Sequence, residues 1–569
     1  MTRCCTVSVL LVLATFWATA STADEPLQKG KRQQGMVSAG KPVFYLLSIN
    51  RGDFVETELV TQGAKLIVTV YDASGVKVRG FKLTGADEKI GFIADSEGLF
   101  RFEVAFDGQE GQTSFTITLV RIVALSDRVE QAPAAMDQPE SPQIDALRAA
   151  LKAPQKDALA KFWETVKTNG APLIEPPKGD RKDFLVTFLY QGADDTRNVL
   201  VDWPPFTFKS PEEYRMRHLA GSDVWYLTLK VDGRERFTYL LEPNAPRILP
   251  YPERNTADTM SMFWAGMQLD ALNPKRWLAI ADSPDVARYN GASMVEMPGA
   301  PAQPWLAKRR GVAAGTIERQ KFKSKLLENE REVAVYTPPG YSKSAKPYAV
   351  VVLFDEKPYL DENIIPTPTI LDNLVADRRI PPVVAILVDN ADGGARFREL
   401  ACNRTFADFL NSELMPWARR QYNITSDPRR TIVGGSSLGG LAATCTALWH
   451  SDTFGNVVSL SGAFWWTPPK TDGPPDVDSS VERNWVTEQF ITTPKLPLRF
   501  YMDAGTEELD FSGLGGGILA PNRNLRDVLL AKGYEVHYQE FAGGHDYLSW
   551  RGAIADGLIA LIGDSSARQ

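Results

Sequence analysis

The seven residues Gly434-Gly435-Ser436-Ser437-Leu438-Gly439-Gly440 constrain this 569-residue chain more than any other stretch. They contain the pattern G-x-S-x-G with Ser437 at its centre. The apolar run Thr431 to Val433 precedes them, and the helix-forming run Leu441 to Leu448 follows. A strand, a very tight turn and a helix in that order make a nucleophile elbow. Small residues flank such a serine because larger ones would clash with the strand and the helix. The plainer alternative is a glycine-rich turn in which Ser436 or Ser437 caps the helix.

The residues around the elbow suit the first reading. Tyr348 to Phe354, Val383 to Val388, Val457 to Leu460 and Leu498 to Met502 are further short apolar runs, and Glu332 to Thr337 alternates. Segments with helical spacing, such as Phe406 to Arg419, lie between them. Near-continuous apolar strands alternating with helices predict a mostly parallel sheet with helices on both faces. We therefore expect an α/β-hydrolase domain over residues 310–565.

A serine needs a base before it can act as a nucleophile near neutral pH. The chain has four histidines. His545 follows the strand Glu535 to Phe541 in the loop Gly543-Gly544-His545-Asp546, where the chain order Ser, acid, His requires the base. His218, His450 and His537 read as structural or solvated. The acid belongs in the loop Ala504-Gly505-Thr506-Glu507-Glu508, after the strand Leu498 to Asp503. Glu508 is the choice, with Glu507, Asp503 and Asp510 open as alternatives. Such an acid fixes the imidazole tautomer and stabilises the imidazolium. The oxyanion donors expected are the backbone N–H of Leu438 and that of Glu356 or Lys357, in Phe354-Asp355-Glu356-Lys357.

Upstream, residues 36–122 alternate like half-buried strands and predict a small β-sandwich, with Asp72-Ala73-Ser74-Gly75 as one turn. Residues 124–178 read as a polar, proline-containing linker followed by one helix over 144–168, whose Phe162 and Trp163 pack on a neighbouring domain. Residues 181–300 read as an immunoglobulin-like sandwich. Its strands are Phe184 to Tyr190, Val199 to Trp203, Val224 to Val231 and Arg236 to Leu241, and Asp232-Gly233 marks a hairpin between the last two. The proline-rich run Pro298 to Pro304 sets the next boundary.

Met1-Thr2-Arg3, the short apolar run Val7 to Ala18 and Ser21-Thr22-Ala23 have the pattern of a signal peptide over 1–23. The expectation is a periplasmic or secreted protein, with an uncleaved anchor as the alternative. No other run is long and apolar enough to span a bilayer. The exported chain keeps Cys402 and Cys445. They could pair in an oxidising compartment, but two separate buried thiols are the favoured reading. With no C-x-x-C and no clustered histidines, no metal or cofactor is expected. Sixty-three basic against 70 acidic residues leave a net charge of −7, which argues against a general nucleic-acid binder. The run Gly513 to Gly517 lacks the spacing of a nucleotide loop. Asn403-Arg404-Thr405 and Asn423-Ile424-Thr425 match glycosylation sequons.

Four segments together resemble the enterochelin (enterobactin) esterases and the wider esterase D-like group. They are Gly435 to Gly440, Ser461-Gly462-Ala463-Phe464-Trp465-Trp466, Gly543 to Arg551 and Arg396 to Asn403. The resemblance runs from about residue 181 to the end, with Asp223-Val224-Trp225 as a landmark of the family's N-terminal domain. It implies hydrolysis of a small-molecule ester, in the named case the trilactone of a catecholate siderophore, without a cofactor. It carries over Ser437, His545 and Glu508 as the triad. It also implies that Arg396 contacts an anionic substrate and that Trp466 lines the pocket. Residues 36–122 loosely resemble the prepeptidase C-terminal-type domains of secreted enzymes. Three departures bear on substrate: the export signal with its extra β domain, Glu356 where the family has glycine, and a proline-rich segment from Thr467 to Asp476. The expectation is an exported serine esterase working through an acyl-enzyme on Ser437. One rival is a feruloyl- or acetyl-type esterase of polysaccharides, with Trp203, Trp225 or Tyr239 as a sugar platform. Another is an inert binding or adhesion protein on a hydrolase fold.

Overall fold

The computed structural model describes residues 25–61, 65–83, 87–129, 139–153, 157–176, 182–202, 214–246, 257–277, 283–392, 394–468, 484–508 and 517–563. The signal-peptide segment, Trp203, Asp510, residues 469–476 of the proline-rich segment and residues 513–516 of the glycine-rich run lie outside them.

The chain divides into two compact units, Met1–Arg128 with Ala281–Ala287, and Val129–Ile280 with Arg288–Gln569. In the first, a five-stranded sheet (Glu25–Pro26, Val43–Ile49, Gly98–Phe106, Leu66–Tyr71, Lys77–Leu83) shares one core with a four-stranded sheet (Arg32–Ser38, Gln112–Val123, Phe54–Thr61, Asp87–Ile93). Phe100, Phe102 and Val104 of one sheet meet Phe115, Ile117 and Leu119 of the other in that core, as their alternation predicts. The later segment is tied in by Asp285, which accepts from Gly80 N–H at 3.0 Å and pairs with Arg79 at 3.2 Å.

The second unit begins with two helices, Pro142–Lys152 and Ala158–Asn169, not the single helix expected. Ala153 is extended at φ −87°, ψ 159°. Pro154 follows it, and a proline drives the preceding residue out of the helical region. Trp163 packs with Leu189, Val224 and Tyr226 of the next sheet. Two four-stranded sheets then share a core that includes Phe188, Val201, Leu227, Phe237 and Tyr239. The hairpin at Asp232-Gly233 is not formed. Val224–Asp232 lies in one sheet and Arg236–Pro243 in the other, so the turn is a corner between sheets. Glu235 N–H closes the turn on Asp232 at 3.1 Å, while Gly233 exchanges bonds with Lys182 and Gly299. Trp225 and Tyr239 are buried, so neither is an open sugar platform.

The last sheet has eight strands: β1 (Thr316–Ser324), β2 (Asn329–Thr337), β3 (Ala349–Phe354), β4 (Val383–Val388), β5 (Thr431–Ser436), β6 (Asn456–Leu460), β7 (Arg499–Gly505) and β8 (Glu535–Phe541). Their order is β1-β2-β4-β3-β5-β6-β7-β8. β2 is antiparallel to both neighbours, and every pair from β4 to β8 is parallel. This is an α/β-hydrolase arrangement. Val350, Val352 and Phe354 face one core, and Ala349, Val351 and Leu353 face the other. Burial on both faces is why these strands read as unbroken apolar runs. β1 is an unanticipated edge strand. Its Glu318, Arg319, Lys321 and Lys323 keep an exposed edge polar. No helix among the described residues is long and apolar enough to cross a membrane.

Cys402 and Cys445 form a disulfide with Cα atoms 5.6 Å apart, which corrects the expectation of separate thiols. Cys445 lies in the helix Leu438–Trp449 and Cys402 just after the helix Ala395–Leu400. The two sit 43 residues apart in sequence, and only the packing of these helices brings their Cβ atoms into bridging range. Both sequon asparagines hold backbone. The side-chain nitrogen of Asn403 donates to the Arg398 carbonyl, and that of Asn423 to the Ser342 and Ala345 carbonyls.

Candidate active site

The C-terminal ends of β5, β7 and β8 open on one edge of the sheet, and each carries one of the expected triad residues. Ser437 follows β5 directly and starts the helix Leu438–Trp449. It sits at φ 57°, ψ −120°, a conformation that costs about 1–3 kcal/mol outside glycine. Two bonds impose it: Ser437 N–H donates to the Leu460 carbonyl at 2.8 Å, and Ala463 N–H donates to the Ser437 carbonyl at 3.0 Å. The flanking glycines are explained by the same crowding. A Cβ on Gly435 would lie 2.9 Å from the Gly439 backbone, and one on Gly440 2.6 Å from Ser459 Oγ.

Glu508 follows β7, and its carboxylate is fully buried. Oε1 lies 2.6 Å from His545 Nδ1. Oε2 accepts from Gly505 N–H at 2.5 Å. The acid is thus aimed by its own loop, and it leaves Nε2 as the imidazole's outward nitrogen. Two of the alternatives, Asp503 and Glu507, are engaged elsewhere. Asp503 is buried inside β7 and accepts from Ser461 N–H at 2.9 Å. Burial holds its carboxyl well above the ordinary carboxylate range. Glu507 is half-exposed, with its N–H bonded to the Gly543 carbonyl at 3.0 Å.

His545 also meets Trp550 edge to face, with ring centroids 4.7 Å apart and planes at 89°. The Trp550 indole N–H donates to Ser461 Oγ at 2.9 Å. Ser461, at φ 46°, ends the strand that pins the elbow. Trp550 and Ser461 both lie in segments that resemble the family, but no sequence pattern pairs residues 89 positions apart. The other histidines are elsewhere. His218 stacks on Trp225, and His450 and His537 bond Asp408 and Glu535.

Both expected oxyanion donors are first residues of helices, Leu438 in Leu438–Trp449 and Glu356 in Glu356–Leu360. Such N–H groups have no partner within their helix. The loop after β3 approaches the elbow: Asp355 Oδ2 is 3.7 Å from where a Cβ on Gly439 would stand. Arg396 grips that same Asp355 from two nitrogens, Nε to Oδ1 at 2.9 Å and Nη2 to Oδ2 at 3.0 Å. Asn390 adds a third bond at 2.9 Å. Arg396 is therefore first a clamp on the loop after β3, while its Nη1 makes no hydrogen bond among the described residues. Burial, then the charge of Asp355, raise the Tyr547 phenol to about 12, which places that side chain beside the same pair. Glu356, where glycine was expected, turns its buried carboxylate toward Arg319 of β1 at 3.5 Å. Burial raises its carboxyl against the pull of Arg319. Trp466 packs edge-on against Trp485, centroids 5.9 Å apart, beside the core of the sheet.

Comparison with known proteins follows the same division of the chain. An esterase family model matches residues 324–561, and the model for the N-terminal region of enterochelin esterase matches 185–306. The chain is 30% identical over 439 residues to the iron(III) enterobactin esterase of Dickeya dadantii, covering 72% of this chain and 94% of that protein. It is 28% identical to the iron(III) salmochelin esterase of Escherichia coli O6:H1, covering 74% and 98%. The crystal structure of ferric enterobactin esterase from Salmonella typhimurium superimposes with a TM-score of 0.55 at 25% identity, covering 71% and 98%.

Proposed function

The chain belongs to the iron(III) enterobactin esterase family and is a carboxylic ester hydrolase, and from that premise we propose that it cleaves the ester bonds of a catecholate siderophore trilactone. Ser437 Oγ attacks the ester carbonyl while His545 Nε2 takes its proton. The same proton passes to the departing alkoxide, leaving an acyl-enzyme. His545 then activates water, which frees the acid and restores Ser437. Glu508 holds the imidazole with Nε2 outward. The N–H groups of Leu438 and Glu356 receive the developing oxyanion. Nη1 of Arg396 is the group we assign to the anionic catecholate. The observation that carries this reading is the 2.6 Å contact of Glu508 and His545 at the sheet edge where the strained Ser437 sits.

Export belongs to the same proposal. The Met1 to Ala23 pattern supports it, and so does a disulfide, which persists in oxidising compartments. The finer domain reading is an accessory β-sandwich over 36–122 and an immunoglobulin-like sandwich over 181–300. It rests on paired sheets that share a core in each region. The test is hydrolysis of a catecholate trilactone, ferric and iron-free, by wild type and Ser437→Ala. Cleavage by wild type and at least a ~10⁴-fold loss in the variant are expected. Turnover of nitrophenyl esters without trilactone cleavage would overturn the substrate.

A further inference from the structure

We propose that the middle β domain is part of the catalytic apparatus, with Thr238 and Asp546 as positioning residues for His545. The inference rests on the reading of His545 as the catalytic base. Thr238 lies in the strand Arg236–Pro243, in a sheet of the middle domain. Its Oγ1 donates to Asp546 Oδ2 at 3.1 Å, across 308 residues of sequence. Asp546 is the residue after His545. Its other oxygen, Oδ1, accepts from Leu548 N–H at 2.9 Å and so caps the helix Tyr547–Ile562. One carboxylate therefore fixes the exit of the histidine loop from two sides. Desolvation raises the Asp546 carboxyl, and the Leu548 and Thr238 bonds oppose that rise by favouring its charged form.

Further contacts from outside the hydrolase sheet grip the same few residues. The Arg236 carbonyl lies 3.7 Å from where a Cβ on Gly543 would stand, two residues before His545. Gln303 donates to the Leu548 carbonyl at 2.7 Å and accepts from Arg551 Nε at 2.8 Å. The Arg551 guanidinium lies over the Trp277 ring, 4.5 Å from its centre. The segment Gly543 to Arg551 is thereby accounted for: His545 reacts, Trp550 supports its ring, and Asp546 and Arg551 join the segment to the middle domain. On its other side His545 meets Glu508 and Trp550. A base displaced by about 1 Å loses on the order of 100-fold in rate, so contacts that hold the exit of its loop bear directly on catalysis.

The experiment compares Thr238→Val, which removes the hydroxyl at nearly constant shape, with Thr238→Ser, which keeps it. Kinetics use a small nitrophenyl ester, whose binding makes no demand on the middle domain, and melting temperature is followed in parallel. Thr238→Val is expected to lower kcat about 10-fold with KM within about twofold. Thr238→Ser is expected to restore most of kcat. An unchanged kcat in Thr238→Val, or an equal loss in Thr238→Ser, would overturn the proposal. A change in KM alone would do so too. Ser437→Ala, run alongside, separates the two failures. If it keeps turnover, the serine reading falls. If it is inactive while Thr238→Val matches wild type, only the role of the middle domain falls.

Discussion

Ser437 and Glu508 are each held by backbone before any substrate arrives. The serine is fixed by the Leu460 and Ala463 bonds at a positive φ, and the acid by the N–H of Gly505, three residues earlier. An amide in place of the carboxylate would keep this shape but could not stabilise an imidazolium. Glu508→Gln should therefore lower kcat/KM by about 10²–10⁴-fold with little change in melting temperature. A loss under threefold would show that another carboxylate serves. The strained turn at Ser437 and the contact of Glu508 with His545 were legible because the elbow is a local pattern and chain order points to the other two. Asp355, Ser461, Trp550 and Thr238 were not. Their partners are distant in sequence, and their residue types have many ordinary uses.

At the level of elements, the helix Leu438–Trp449 does two jobs. Its first turn offers the Leu438 N–H, and its second carries Cys445, bonded to Cys402. Cys402 follows the helix Ala395–Leu400, which bears Arg396 and through it Asp355 and the oxyanion loop. The disulfide thus joins the helix that Ser437 starts to the one whose Arg396 holds Asp355. Its removal should cost about 2–4 kcal/mol of stability. The double variant Cys402→Ser, Cys445→Ser should melt lower than wild type without reductant and equally with it. Equal melting in both conditions would mean that the bridge is not formed. The parallel strands were readable because two-sided burial makes them unbroken apolar runs. The edge strand β1 was not, since exposure makes it polar. The corner at Asp232-Gly233 resembles a hairpin in sequence because turn residues specify a reversal and not which sheet receives the next strand.

Across the whole chain, the middle domain and the hydrolase sheet share electrostatics as well as hydrogen bonds. Glu235 is buried at the corner, with Oε2 lacking a hydrogen-bond partner among the described residues. Burial, and then the charge of Glu507 next to Glu508, push its carboxyl up to about 8. Between the ordinary carboxylate range and pH 8 Glu235 therefore binds more proton in the native chain than in the unfolded one. Its contribution to stability falls as pH rises through that window, by at most about 1.4 kcal/mol per pH unit. Glu235→Gln should flatten the fall, melting higher than wild type at pH 8–9 and closer to it at pH 5. A parallel pair of melting curves against pH would contradict this. The proposed mechanism requires Ser437 to form an acyl-enzyme with a siderophore ester. The most direct measurement is intact-protein and peptide mass spectrometry after rapid quench of the chain with a catecholate trilactone. A transient adduct of the opened acyl chain is expected on the peptide containing Ser437, absent in Ser437→Ala. Trilactone cleavage without any adduct on Ser437, persisting in that variant, would contradict it.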